Sequence, residues 1–332
     1  MAKKVYNRIY TKEKWEQVNK YNKQVLDDYI LQAKSEGKSK GSIAQYYADG
    51  RIIMILIMEL FDNKPLHKFT RKMVRNLILH FQSLDMSTAR INRLLSTFRN
   101  IFAFTEMDDE YEEDFEECKL NPSRVKGLRK EERREIIFLT DEEIHTIVDT
   151  LIEQEKYQQA LLFALGYDSG SRRKELYQLK RSDISLDNNI SKSAVKGKRG
   201  KIYRPLYNDL TKKAFKVYEK NRTDDTDFLW ITKDANGVIK QASYESLYHW
   251  IISARKTYYE IYGEEKLFNV HSLRHSLAQN LKDGTHYLCT KTGGKMDITI
   301  IQKMMNHSDV GTTLGYCKED TEEVLLEAFG LK

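Results

Sequence analysis

Near the end of the first third of the chain, "DDEYEEDFEE" at 108–117 runs directly into "CKLNPSRVKGLRKEERREIIF" at 118–138. An acidic block passing into a basic, proline-marked block has little apolar surface to bury, so it reads as a connector between folded parts. The chain has 332 residues, and a length of about twice an ordinary domain fits two domains joined there. The expected division is a helical N-terminal domain over 1–117, a linker over 118–138 and a second domain over 139–332.

Apolar residues recur with helical spacing in the first part and predict helices near 11–36, 41–61, 69–83 and 87–106, separated by "EGKSKGS", "DNKPLHK" and "SLDMS". The run "IIMILIMELF" at 52–61 is too short to cross a bilayer and reads as a buried helix, so no membrane partner is expected. Past the linker, Thr140 followed by acidic residues is a helix start, because a hydroxyl caps exposed amides and carboxylates suit the positive helix end. Further helices are predicted at 155–167, 171–180, 208–221, 242–262, 271–283 and 297–306. Only 188–208, "NNISKSAVKGKRGKIYRPLYN", has the glycine-punctuated alternation of a hairpin or small sheet. The fold class is therefore mainly α with a small β-sheet.

Charge narrows the partner. There are 55 Lys and Arg against 49 Asp and Glu, a net of +6, which suits a polyanion. The three cysteines, Cys118, Cys289 and Cys317, form no CxxC pair and leave one over, so neither a disulfide framework nor a zinc ribbon is indicated. A reducing cytoplasm is the expected location, and the start "MAKKVYNRIYTKEKW" has no apolar stretch of leader length.

Four polar stretches could carry chemistry, and each has a plain structural reading beside it. "GSRRKELYQLKRSDI" at 170–184 puts Arg172, Arg173 and Lys174 at a helix start, either as a solvated basic face or as part of a phosphate site that needs a second cation from elsewhere. In "HSLRHS" at 271–276, His271 and His275 are one helical turn apart. The zinc reading lacks the glutamate of HExxH and a third ligand, so no metal is expected; Arg274 between them suggests a phosphate clamp beside an imidazole, or structural histidines. "VKGKRGKIYRPL" at 195–206 carries Lys196, Lys198, Lys201 and Arg204, which could touch DNA backbone, or place one lysine in a cleft as a proton donor. In "HSDVGTTLGYCKED", Tyr316 follows His307 by nine residues on a stretch too polar for a core helix.

Read in order, G-x-R-x-x-E-L at 170–176, G-K-x-x-K at 197–201, H-x-L-R-H at 271–275 and N-H-S-x-x-x-T-T-x-x-Y at 306–316 resemble the tyrosine recombinases, also called phage integrases. The likeness spans the second domain. It reaches the first more loosely, where "STARINRLLSTFRNIFAF" resembles the family's SAM-like core-binding domain. The resemblance implies Tyr316 as nucleophile, Arg172 and Arg274 as the clamp on the scissile phosphate, His271 as the base, Lys198 as the acid for the departing 5′-oxygen and His307 as a phosphate contact. Glu175 would orient that cluster, and Arg173, Lys174, Lys196, Lys201 and Arg204 would grip DNA around it.

A phenol has an ordinary pKa near 10, so such a site must surround it with cations and a base. No metal and no cofactor would be needed, because the phosphotyrosyl link stores the energy of the broken phosphodiester. The implied partner is double-stranded DNA in the bacterial cytoplasm, at the nucleoid. The apolar "VLLEAFGL" at 324–331 suits either self-association or packing on its own domain. Two departures from the family pattern, the polar "DSGSRRKE" turn and Asn306 before His307, touch the shape of the site. The whole chain also looks somewhat like the repressors of SPβ-like temperate phages, so a phage or mobile-element recombinase and an operator-binding repressor on the same scaffold both stand as expectations.

Overall fold

The computed structural model describes residues 9–116, 118, 125–129, 136–197 and 200–305. The chain divides into two compact units, residues 1–132 and 133–332. The expected linker at 118–138 falls largely outside the described residues.

The first unit contains helices α1 (Lys12–Gln17), α2 (Lys20–Ser35), α3 (Lys40–Leu60), α4 (Arg71–Ser83), α5 (Thr88–Thr105) and the short α6 (Glu112–Glu116). Each of α1 to α5 begins on a Thr, Asn or Ser whose side chain accepts a hydrogen bond from an amide of the first turn: Thr11, Asn19, Ser39, Thr70 and Ser87. These caps fix the boundaries by satisfying donors that the helix itself leaves open. The helix expected over 11–36 is instead two, broken at Val18 and Asn19. Asn19 caps α2 by accepting from the Asn22 amide at 2.8 Å, and its Nδ2 donates to the Asn63 carbonyl at 2.6 Å, which turns the chain. The run within 52–61 is a buried helix: Ile52 to Ile57 are all at most 2% exposed, and each such side chain contributes roughly 1.5–3 kcal/mol by leaving water. Leu26 seats on Gly50, where an added Cβ would lie 2.3 Å from its Cδ1.

The second unit holds α7 (Asp141–Glu153), α8 (Tyr157–Ser169), α9 (Arg173–Gln178), β1 (Val195–Lys196), β2 (Ile202–Tyr203), α10 (Asp209–Lys220), β3 (Ile231–Lys233), β4 (Ile239–Gln241), α11 (Tyr244–Tyr262), α12 (Val270–Asp283), α13 (Cys289–Thr292) and α14 (Ile298–Met304). Helix α8 is the centre. Every residue from Ala160 to Ser169 is buried, as expected of a helix apolar on all sides with neighbours packed around it. Helix α7 starts at the expected Thr140, in a reciprocal capping box with Glu143. The strands form two separate antiparallel pairs. In the first, Val195 faces Tyr203 and Lys196 faces Ile202; in the second, Ile231 faces Gln241 and Lys233 faces Ile239. Only the first pair was expected. Among the described residues no helix is long and apolar enough to cross a membrane.

Candidate active site

Helix α8 ends at Gly170, which takes the left-handed conformation at φ +56°. An added Cβ there would lie 2.8 Å from Leu277 Cδ2 on α12, so position 170 requires glycine for its backbone angle and for the close approach. The chain reverses through Ser171 and restarts as α9 with Arg172 at the N-cap position, its backbone extended. The corner places an arginine at the mouth of a helix, next to a helix end.

Glu175 fixes that arginine. The residue is only 1% exposed, and its carboxylate accepts from the Arg172 amide at 2.6 Å and from Arg172 Nη1 at 3.2 Å. The third donor is Tyr203 on β2, at 2.7 Å. A buried carboxylate is tolerated only when its oxygens are satisfied, and here two of the three donors are on Arg172 itself.

Arg274 rises from α12 and is buried at 1% exposure. Its guanidinium donates to the carbonyl of Gly170 and to that of Met305. Both carbonyls lie at helix C-terminal ends, those of α8 and α14. The negative ends of two helix dipoles therefore help hold this buried cation.

His271 stands in the first turn of α12, with its amide bonded to the Asn269 side chain at 2.8 Å. Its ring meets that of His275 edge to face, the centroids 4.8 Å apart. His271 is exposed by area, yet partial loss of water around its ring, then the charges of His275, Arg274 and Arg172, pull it down to about 4. The same electrostatic coupling ties both arginines to one imidazole, which is neutral near pH 7 and can accept a proton. Among the described residues no group of three His, Cys, Asp or Glu is placed to hold a metal ion.

Four tyrosines of the second unit are held away from the ionised form. Burial followed by Glu175 pushes Tyr203 well above the ordinary phenol range, and burial likewise raises Tyr167, Tyr258 and Tyr287. Each stays a neutral hydrogen-bonding group rather than a nucleophile.

The structure thus brings together Arg172, Glu175, His271 and Arg274. Arg173 turns the other way, pairing with Glu245 at 2.9 Å and stacking its guanidinium 3.9 Å over the Tyr244 ring of α11. Lys174 and Lys196 are exposed, Lys201 is half-buried, and Arg204 is exposed with Nε donating to the Ser191 carbonyl. Lys198, His307 and Tyr316 lie outside the described residues, as does the 324–331 segment.

Three residues at the site were not singled out from the sequence. Gly170 is the αL corner. Gln178 binds both backbone groups of Lys196, donating to its carbonyl at 3.0 Å and accepting from its amide at 2.9 Å, which fastens β1 to α9. Tyr203 joins β2 to Glu175. The hairpin alternation held a usable signal, since a strand partner directly across from the apolar Val195 is a candidate to face inward.

The phage integrase family matches residues 137–323 of the chain. Tyrosine recombinase XerA of Thermococcus onnurineus is 29% identical over 306 residues, covering 91% of this chain and 93% of its own length. Among solved structures, the Tn1549 transposon integrase in complex with circular intermediate DNA superposes with a TM-score of 0.64 at 20% identity, over 92% of this chain and 98% of that one. A lambda integrase dimer bound to a COC′ core site gives 0.62 at 17% identity, over 94% and 82%. These structural likenesses show the fold.

Proposed function

The chain belongs to the phage integrase family, and from that membership we propose that it is a site-specific DNA recombinase that cuts and rejoins duplex strands through a phosphotyrosyl intermediate. The observation that carries the reading is the seating of the Arg274 guanidinium on the carbonyl of Gly170, two residues before Arg172, with His271 on the same helix as Arg274. Two fixed cations suit the extra negative charge of a phosphoryl transition state.

In this scheme the Tyr316 oxygen attacks the scissile phosphorus and its proton passes to His271. The bond from phosphorus to the 5′-oxygen breaks as a 3′-phosphotyrosyl link forms, and Lys198 gives a proton to the departing 5′-oxygen. Rejoining is the reverse, with the 5′-hydroxyl of an incoming strand as nucleophile. A phosphate anion docked beside His271 raises its pKa from the low value of the free protein, so substrate binding itself improves the base. His307 would bond a non-bridging oxygen, and exposed Lys174 and Lys196 would meet flanking phosphates. Association of protomers on DNA through 324–331, and action in the cytoplasm at the nucleoid, complete the proposal.

A repressor on the same scaffold is not favoured, because relatives along most of the chain, such as XerA of Thermococcus onnurineus and XerC of Treponema denticola, carry recombinase names. The test is strand cleavage on a duplex selected from a random pool for tight binding. Replacing Arg172 by Ala should lower the cleavage rate by about 10²-fold, the usual cost of one charge-stabilising contact. Cleavage at the wild-type rate in that variant would remove Arg172 from the scheme.

A further inference from the structure

Tyr203 grips the chain on both sides of Arg172. Its hydroxyl lies 2.7 Å from Glu175 Oε2 and 3.3 Å from Ser171 Oγ. A phenol carries one proton, and the carboxylate can only accept, so that proton goes to Glu175 and the Ser171 hydroxyl must donate to the phenol oxygen. Ser171 precedes Arg172 in the chain, and Glu175 is its side-chain partner.

The hairpin that carries Tyr203 is itself seated on this carboxylate. At Gly197, one residue past β1, an added Cβ would come within 2.8 Å of Glu175 Oε1 and 3.5 Å of Tyr203 Cε1. Gln178 clamps the neighbouring Lys196 backbone from α9. Hairpin and helix start therefore meet at Glu175, and Tyr203 is the group that bonds its charge from the hairpin side.

We propose that Tyr203 is a positioning residue for Arg172: by donating to Glu175 it shares the carboxylate's charge and keeps the guanidinium from being drawn wholly onto it. The inference rests on the reading of Arg172 as a phosphate contact. With the phenol oxygen gone, Oε2 loses a donor in a buried place, and the guanidinium of Arg172 is already bonded to Oε1 of the same carboxylate. The guanidinium then turns toward Glu175 and away from an incoming phosphate.

The test compares wild type, Tyr203→Phe and Arg172→Ala on two substrates, an ordinary phosphodiester and a neutral methylphosphonate at the scissile position. Tyr203→Phe should leave duplex affinity unchanged and slow phosphodiester cleavage by roughly 10-fold, the worth of one hydrogen bond to a charged group. On the uncharged methylphosphonate there is less charge to neutralise, so the losses of both variants should shrink together. A loss that shrinks for Arg172→Ala and persists for Tyr203→Phe would overturn the proposal while leaving Arg172 in its role. A loss that persists for Arg172→Ala would instead remove the phosphate reading of that residue. A second measurement then decides Tyr203 without activity: the Arg172 Nε–H resonance in nitrogen-15-labelled protein, identified by its disappearance in Arg172→Ala. It should shift and exchange more slowly with water in Tyr203→Phe, as the guanidinium turns onto the buried carboxylate, and an unmoved resonance would overturn the positioning role.

Discussion

His286 offers a test of how the second unit is held together. It is fully buried, stacked on Tyr167 with centroids 4.9 Å apart and on Tyr287 at 4.6 Å. Its Nδ1 accepts from the Leu288 amide at 3.1 Å, so the neutral ring carries its proton on Nε2, a buried atom with no hydrogen-bond partner among the described residues. Adding a second proton would set an N–H against the Leu288 amide and bury a charge. Burial, partly opposed by Asp141 and reinforced by His145, pulls the group down to about 4 from its ordinary 6.5. Because the folded value lies below the unfolded one, the unfolded chain takes up the proton first as pH falls. The stability is complete above about pH 6.5 and is lost as pH falls toward 4. From those two values the loss between pH 7.5 and pH 5 is about 2 kcal/mol. His286→Asn keeps an oxygen near the position of Nδ1 and does not titrate. The assay is urea unfolding followed by fluorescence in a Trp15→Phe background, so that only Trp230 and Trp250 of the second unit report. Wild type should exceed His286→Asn at pH 7.5, and the gap should close by about 2 kcal/mol at pH 5. A gap that does not change with pH would refute the reasoning.

Two further outcomes follow from the geometry. Gly170→Ala forces a Cβ into the left-handed region 2.8 Å from Leu277, which should cost about 2–4 kcal/mol, against about 1 kcal/mol for Gly237→Ala, where the angle is similar and nothing lies within 4 Å; equal losses by urea unfolding would contradict the contact. Duplex binding measured by titration at rising salt should weaken with a log–log slope of several units, as counterion release from phosphate contacts requires, and a flat response would remove the phosphate grip.

Much of the fold could be read locally, because much of it is decided locally. The buried run from Ile52 to Ile57 needs nothing beyond its composition, and the capping box at Thr140 and Glu143 lies within four residues. The break at Asn19 was missed because its cause, Asn63, is 44 residues away. The β3–β4 hairpin was missed although Asn236 and Gly237 form a strong turn signal, with Gly237 at φ +79°; strands of three residues are too short for alternation to register. Asp168 is a plainer case of non-locality. In sequence it closes α8, yet its carboxylate accepts from the Asn208 and Thr211 amides at 3.0 Å and so caps α10. At the site, the arginines were legible as a spaced pattern. Their supports were not, since Arg274 rests on carbonyls 104 and 31 residues distant and Arg172 depends on Tyr203 through Glu175. No local rule predicts which carbonyl a buried guanidinium will find.

The most direct test of recombinase chemistry is to trap the protein on a nicked cognate duplex, from which the cleaved strand end diffuses away, and to map the DNA-linked peptide by mass spectrometry. The proposed chemistry predicts a 3′-phosphate on Tyr316, with no adduct and unchanged duplex affinity in Tyr316→Phe, since that substitution removes only the attacking oxygen. An adduct that survives in Tyr316→Phe, or that maps to another residue, would contradict it.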